Sequence, residues 1–204
     1  MRKADLRKNH NSLDAAIRRY RTFMDKIVNA QRVVSTPQEK RDMAESVLLR
    51  LCANWEYFVD EHLVDCVNCD HRKLSQHFSV RIPENPSWDL CHALIIGADY
   101  NDFRSFGDLK GFSKKILREE SNPFLSVSNG HAHKIDEVYK IRNYLSHYSR
   151  SGYRALMKVY KDTYQMERFL EPGQFLLAYN AQRLWLYFDA FEGASNDMKA
   201  WITT

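Results

Sequence analysis

The sequence predicts an all-α protein with a single domain spanning 1–204, and three observations carry this prediction. Apolar residues recur at helical spacing through most of the chain. Only 7 Gly and 5 Pro occur among the 204 residues, and both types disfavour helix interiors. Hydrophobic residues make up 44% and charged residues 27% of the chain, which is typical of one globular core rather than of disorder.

The first two predicted helices meet at a break, Ser35-Thr36-Pro37. A basic amphipathic segment from about Leu6 to Val34 precedes it, with apolar residues at Leu13, Ile17, Tyr20, Met24 and Ile27. Thr36 is expected to cap the second helix, with Pro37 in its first turn and Glu39 completing a capping box. A wide apolar stripe predicts that this helix is central to the core: Met43, Val47, Leu48, Leu51, Trp55, Phe58, Val59, Leu63 and Val67.

The middle of the chain is interrupted more often. Two prolines between Cys69 and about Ser87 predict a loop, with one extended piece at Phe78–Ile82. Short helices are expected at Trp88–Ile96 and Asp108–Arg118, followed by a turn at 121–123.

Three helices are predicted in the last third of the chain. After a break at 126–130, a helix ending near Ser149–Gly152 is indicated by apolar residues at Ile135, Val138, Tyr139, Ile141 and Leu145. The next is expected at Tyr153–Phe169. The last follows Pro172-Gly173 and is rich in aromatic residues: Phe175, Tyr179, Trp185, Tyr187, Phe188 and Phe191.

The net charge of +4 is unevenly distributed. Residues 1–32 carry nine basic against three acidic residues, and residues 134–168 carry eight against four, so these segments have net charges of +6 and +4. Clustered positive charge favours a polyanionic partner, although solvated helix faces would give the same pattern.

The N-terminal segment is charged every few residues and has no apolar core of the kind found in signal peptides. No later stretch approaches the length needed to span a membrane. We therefore expect a cytoplasmic protein with no membrane association. Its four cysteines are then expected to be reduced thiols: Cys52, Cys66, Cys69 and Cys91.

The segment 134–147, KIDEVYKIRNYLSH, contains the sharpest motif in the chain, R-N-x-x-x-H, formed by Arg142, Asn143 and His147. It resembles the HEPN superfamily, whose signature is an Arg, commonly followed by a polar residue, and a His a few residues later. The segment 48–60, LLRLCANWEYFVD, is similar to the first long core helix of the RiboL-PSP branch. Residues 108–112 and 122–124 fit this branch more loosely. The resemblance covers roughly 40–165 and implies a HEPN-like bundle with extra N- and C-terminal helices.

The chemistry of the motif residues suits RNA cleavage through the 2′-hydroxyl. An imidazole such as His147 transfers protons near neutral pH, and a guanidinium such as Arg142 stabilises charge on phosphorus bidentately, so neither a metal nor a cofactor is expected. On an ideal helix Asn143 and His147 lie about 40° apart, whereas Arg142 and His147 lie about 140° apart. The resemblance implies that two protomers bring these residues into one cleft about a two-fold axis, with Asn143 orienting the phosphate or His147.

Further residues are weaker candidates for the same site. Glu56 is expected to bond Arg142 or His147, and Ser146 is a second-tier candidate within the motif. Tyrosines and basic residues alternate after the motif, and the best placed to contact RNA are Tyr148, Arg150 and Arg154. Structural alternatives remain: Arg142 and His147 near a helix C-terminus would also stabilise the helix dipole, a Glu on an amphipathic helix is often solvated, and core packing would explain most of the tyrosines.

One other pattern has donor types for zinc: His62-x-x-x-Cys66-x-x-Cys69-x-His71. His62 and Cys66 share one helical face. The usual second pair of ligands is missing, which favours Cys66 and Cys69 as small apolar residues at a helix end. No metal site is therefore predicted.

The function expected from the resemblance is that of a metal-independent endoribonuclease acting as a toxin or antiviral-defence effector. Its expected partners are RNA, a second copy of the chain and a regulating protein such as an antitoxin. The alternative is a non-catalytic HEPN dimerisation module or nucleotide/RNA-binding module. Because such modules often lose the Arg or the His, the presence of both Arg142 and His147 favours catalysis.

Overall fold

The computed structural model describes residues 4–29, 36–98 and 103–202, and in these ranges the chain is helical without any strand, which confirms the all-α prediction. Within the described residues, eight α-helices are joined by short connections and by 3-10 turns at Glu119–Ser121 and Pro123–Leu125. The helices are α1 (Leu6–Val28), α2 (Pro37–Cys69), α3 (Arg72–Phe78), α4 (Trp88–Ala98), α5 (Phe106–Ile116), α6 (Asn129–His147), α7 (Arg150–Tyr164) and α8 (Pro172–Ile202).

Part of the predicted N-terminal basic helix lies outside the described residues. This applies to Arg32 and to the predicted helix end at Val34 with the following Ser35; Arg2 and Lys3, which precede the predicted helix, are outside the described residues as well. Over the described ranges, none of the helices combines the length and the apolar character required to cross a bilayer. The four cysteines are free thiols, and only Cys69 is exposed.

The capping box predicted before α2 is confirmed. The Thr36 hydroxyl accepts a hydrogen bond from Glu39 N at 3.2 Å, and Thr36 N donates to Glu39 Oε2 at 2.6 Å. α2 contacts α1, α4, α6 and α8. Trp55 and Leu51, on its apolar stripe, are fully buried, so α2 is central to the core as predicted.

The segment after α2 differs from the prediction. Residues 72–78 form α3 instead of a loop, and Phe78 ends this helix instead of beginning an extended piece. Two contacts explain the helix: the Asp70 carboxylate accepts from Arg72 N at 3.3 Å, and Leu74 is fully buried. Ser79 then adopts a left-handed conformation, with φ of 53°, which ends the helix. Local sequence did not reveal this helix because its apolar side consists of one buried leucine.

The boundaries of α6 and α7 also differ from those predicted. α6 begins at Asn129, because the Ser128 hydroxyl caps it by accepting from His131 N at 3.2 Å. The predicted break at Ser149–Gly152 is instead the beginning of α7, where the Ser149 hydroxyl accepts from Gly152 N at 3.0 Å. α7 therefore starts three residues earlier than predicted and ends earlier, at Tyr164.

The last helix was predicted to follow Pro172-Gly173 and instead includes both residues, beginning at Pro172; its backbone is non-helical at residues 178–181. Tyr179 and Asn180 have φ of 54° and 56°, and this kink divides α8 into a short first part and a long second part. Three aromatic residues of the second part are fully buried in the core: Tyr187, Phe188 and Phe191.

A buried carboxylate holds α6 in place against α7 and α8. Glu137 is 1% exposed and accepts hydrogen bonds from Lys134 Nζ at 2.9 Å, Tyr164 OH at 2.7 Å and Tyr187 OH at 2.9 Å. Because one carboxylate ties together side chains from three helices, the orientation of α6 and of the motif at its C-terminal end is determined by the core.

Candidate active site

A cleft of about 410 Å³ lies at the C-terminal end of α6 and the beginning of α7. Its lining residues are Phe103, Arg104, Tyr139, Lys140, Arg142, Asn143, His147, Ser149, Ser151, Gly152 and Ala155. The three predicted catalytic residues therefore share one cleft in a single chain, in spite of the 140° between Arg142 and His147 on an ideal helix. Ser151, Gly152 and Ala155, at the start of α7, line the same cleft.

Arg142 is held in place by residues of α2 and α6. Its Nη2 pairs with Glu56 Oε1, and its Nη1 donates to Asn143 Oδ1 at 2.9 Å. The Cys52 thiol donates to the same Glu56 oxygen at 3.7 Å. Burial disfavours the charged guanidinium, but the hydrogen bond and charge of Glu56 raise the pKa of Arg142 above its usual value. Arg142 is therefore a fixed cation on the wall of the cleft.

His147 has a different environment. It is the last residue of α6 and is exposed, and in the part of the chain that the structure describes no hydrogen bond to its ring is seen. Both ring nitrogens are thus accessible to a ligand in the cleft. Ser146 is exposed as well but does not line the cleft.

Glu56 contacts Arg142, one of the two partners expected for it, and not His147. The pair joins residues 86 positions apart in the chain. Asn143 accepts from Arg142, so its amide is oriented by the guanidinium, with its NH₂ group left to donate to a ligand.

Two basic residues of the cleft were not among the sequence predictions. Lys140 belongs to the motif helix, and its Nζ donates to Asp136 O at 3.4 Å. Arg104 is exposed on the segment that precedes α5. Lys140 could have been predicted from helical spacing, because it lies three residues before Asn143. Arg104 could not, because it lies 38 residues before the motif and no local pattern relates the two. Among the described residues, Arg104, Lys140 and Arg142 thus give the cleft lining three cationic side chains.

The residues predicted to bind RNA lie next to the cleft and do not line it. Tyr148 is 67% exposed, has a left-handed backbone with φ of 44°, and its ring centroid lies 5.4 Å from that of Tyr144. Arg150 and Arg154 are exposed on the first turns of α7. All three are accessible to a polymer that extends beyond the cleft.

The residues of the zinc pattern differ from one another in their exposure to solvent. His62 is fully buried, with its ring centroid 5.1 Å from that of Phe58. Burial raises the pKa of the Cys66 thiol well above its usual value, whereas Cys69 is exposed. Within the described ranges no three or more His, Cys, Asp or Glu side chains are grouped so that they could hold a metal ion.

Comparison with known proteins identified no relative of this chain. Neither a family model, nor a curated protein, nor a solved structure matches this chain. The functional interpretation therefore depends on the motif residues and on the geometry of the cleft that surrounds them.

Proposed function

We propose that this chain is a metal-independent endoribonuclease of HEPN type, which cleaves RNA through the 2′-hydroxyl with Arg142, Asn143 and His147. The observation that carries the proposal is the cleft itself. It combines an exposed imidazole with a fixed guanidinium and with the further cations Lys140 and Arg104. The cations suit a polyanionic substrate, and the imidazole suits a reaction that requires proton transfer.

The proposed reaction begins with proton removal. A neutral His147 takes the proton of a ribose 2′-hydroxyl, and the 2′ oxygen attacks the adjacent phosphorus. The bond from phosphorus to the 5′ oxygen breaks, and a protonated His147 donates the proton that this oxygen needs. The products are a 2′,3′-cyclic phosphate and a 5′-hydroxyl.

Arg142 and Asn143 act on the charge that develops during this reaction. A guanidinium has five N–H donors, so Arg142 can bind Glu56 and a phosphate oxygen together. Since Glu56 and Asn143 already hold it in place, little reorganisation is needed when negative charge accumulates on the phosphorane. The Asn143 amide can donate to the same phosphate.

We further propose that a homodimer is the active form and that α6 lies near its two-fold axis. Cytoplasmic toxin or antiviral-defence activity, regulated by a partner such as an antitoxin, is the biological role that accompanies this chemistry. The exposed Tyr148, Arg150 and Arg154 are proposed to bind RNA beyond the cleft.

The test is cleavage of RNA by purified protein in excess chelator. Wild type is expected to leave 2′,3′-cyclic phosphate ends and to ignore a substrate with deoxyribose at the scissile position. Arg142→Ala and His147→Ala should each remove most activity, and Asn143→Ala should remove less. Retention of cleavage by His147→Ala, or its abolition by chelator in wild type, would refute the mechanism.

A second candidate is a non-catalytic dimerisation or RNA-binding module. One observation favours it: Glu56 already neutralises the charge of Arg142, as in a purely structural ion pair. Glu56→Gln separates the two functions. If Glu56 positions Arg142 for catalysis, the variant loses turnover with little change in RNA affinity, whereas in a binding module it should bind RNA more tightly and never cleave it.

A further inference from the structure

A smaller pocket of about 220 Å³ adjoins the cleft and shares two walls with it, Phe103 and Tyr139. The Arg142–Glu56 ion pair also joins the two cavities, because Arg142 lines the cleft and Glu56 lines the pocket. The other lining residues in the described part of the chain come from α2 and α4: Val59, Asp60, Leu63, Val64, His92, Ile95 and Ile96. A ligand in the pocket would therefore lie beside whatever occupies the cleft.

The walls of this pocket limit what can bind there. Two aromatic rings and several aliphatic side chains provide apolar surface, and His92 is held with its ring centroid 4.9 Å from that of Trp88 and nearly parallel to it. Sites for drug-sized ligands begin at roughly 300 Å³, so this pocket accepts a group of about one ring system. A flat heteroaromatic group fits both the size and the walls.

The polar groups of the pocket are mainly hydrogen-bond acceptors. Asp60 lies at its rim and, in the described part of the chain, has neither an ion-pair nor a hydrogen-bond partner. Although the side chain is accessible to solvent, burial raises the pKa of Asp60 to about 6, and the charges of Glu56 and Glu61 add to this effect. The carboxylate has thus lost part of its hydration and gains from any donor that the ligand supplies.

We infer that this pocket binds a guanine base of the substrate RNA, next to the phosphate that Arg142 and His147 act on. The inference rests on the proposed function. An ionised carboxylate only accepts hydrogen bonds, and guanine presents two adjacent donors, N1–H and the exocyclic amine, on its Watson–Crick edge. Adenine and cytosine place a ring acceptor beside their amine, and uracil has a single N–H between two carbonyls. Asp60 therefore accepts two bonds from guanine and repels an acceptor in each other base.

Base stacking supports the same assignment. Single-stranded nucleic acids are bound by aromatic side chains against which bases stack, and the half-buried ring of Phe103 supplies such a surface, whereas Tyr139 is buried. Because both rings also line the cleft, a base in the pocket leaves its own phosphate close to the cationic wall. We expect cleavage next to guanine.

The experiment measures binding and cleavage separately. The probes for binding are dGMP, dIMP, dAMP, dCMP and dTMP, titrated by NMR, which share one phosphate and cannot be cleaved through a 2′-hydroxyl. Wild type should prefer dGMP, and dIMP, which lacks the exocyclic amine, should bind more weakly. Asp60→Asn should reduce dGMP affinity about tenfold or more, the discrimination typical of a two-bond contact to a base. Ile96→Trp, at the half-exposed rim, should block the pocket.

The matched control is Asp89→Asn, which changes an exposed carboxylate on α4 that does not line the pocket. It should bind dGMP like wild type. Equal affinity for all the nucleotides, or an Asp60→Asn variant with unchanged dGMP binding, would overturn the guanine assignment.

The second arm is cleavage of RNA hexamers in which a single guanine is replaced by inosine or adenine. Loss of cleavage on replacement, together with loss of the preference in Asp60→Asn, supports the subsite. If dGMP binding depends on Asp60 but no RNA is cleaved, the proposed function fails and the guanine pocket stands. If RNA is cleaved without regard to guanine, the assignment to substrate RNA is wrong and the proposed function stands.

Discussion

The N-terminal half of α6 carries a buried carboxylate whose oxygens accept from three helices, whereas the C-terminal end of the same helix carries an exposed imidazole with no hydrogen bond seen among the described residues. Glu137 is 1% exposed and is bonded to Lys134, Tyr164 and Tyr187. His147 lines a cleft and is open to solvent. Arg142 lies between them and has one side fixed by Glu56 and the other side in the cleft.

This difference separates polar groups that support the fold from polar groups available to a ligand. A buried charge is tolerated only when its hydrogen bonds are made within the protein, so Glu137 is expected to contribute to stability. An exposed histidine costs little to leave without a partner, so folding does not require the position of His147 in the cleft. Substitutions at the two ends should therefore affect different measurements.

The largest expected effect is on stability, from Glu137→Ala. The substitution leaves the Lys134 ammonium and two tyrosine hydroxyls without their acceptor in the interior. Removing one partner of a buried charged network typically costs about 3–5 kcal/mol of unfolding free energy. Urea denaturation measures it, with the exposed Glu84→Ala as the control. A loss below about 1 kcal/mol would show that the network contributes little.

His147→Ala should show the opposite behaviour. A surface substitution changes the free energy of unfolding by about 0.5 kcal/mol or less, but loss of a proton-transfer group reduces cleavage by roughly 100-fold or more. The measurements are urea denaturation and the initial rate of RNA cleavage. His77→Ala, an exposed histidine on α3, is the control and should leave both unchanged. A destabilised His147→Ala protein would place His147 with the structural residues.

Buried histidines sharpen the contrast with His147. Burial and the charge of Lys199 lower the pKa of His10 to about 4, although the charge of Asp14 acts in the opposite direction. His62 is fully buried, with no hydrogen bond to either ring nitrogen within the described residues, and burial beside His10 lowers its pKa to about 3.

The unfolded chain protonates these histidines near pH 6.5, and the folded chain does so only at lower pH. Stability is therefore fully present above about pH 6.5 and decreases as the pH falls towards 4, by about 1.4 kcal/mol per pH unit for each histidine. His62→Phe should keep the stacking on Phe58 and remove the contribution of one histidine from the dependence of the unfolding free energy on pH. Denaturation at several pH values tests it, and an unchanged slope would contradict the buried neutral state of His62.

The smallest of these effects is expected at Ser128, the residue that precedes α6. Ser128→Ala removes the hydroxyl that accepts from His131 N, and loss of such a cap costs about 1 kcal/mol. Since Asp197 also accepts from Ser128 N at 3.0 Å, the helix should still begin at Asn129. Thermal unfolding should shift by a few degrees while the rate of RNA cleavage stays at the wild-type level. A reduced rate would mean that the two ends of α6 are coupled.

Local sequence signals determined much of the fold. The Thr36 capping box and the apolar stripe of α2 each depend on residues within one or two turns, so they can be recognised without knowledge of the rest of the chain. The motif was likewise placed correctly on a helix. The start of α7 was predicted less accurately, because a Ser/Gly pair caps a helix as readily as it ends one, and α3 was missed because only one leucine marks its buried side.

Contacts between distant residues were decided only by the tertiary structure. The pair Arg142–Glu56 joins residues 86 positions apart, Glu137 meets Tyr187 across 50, and Arg104 reaches the cleft from a segment with no local signal. The sequence alone determined the all-helical class and suggested the residues proposed for the chemistry, because helix periodicity and side-chain type are local properties. The packing of helices determined which of those residues are buried and bonded and which face the cleft, since that depends on the whole core.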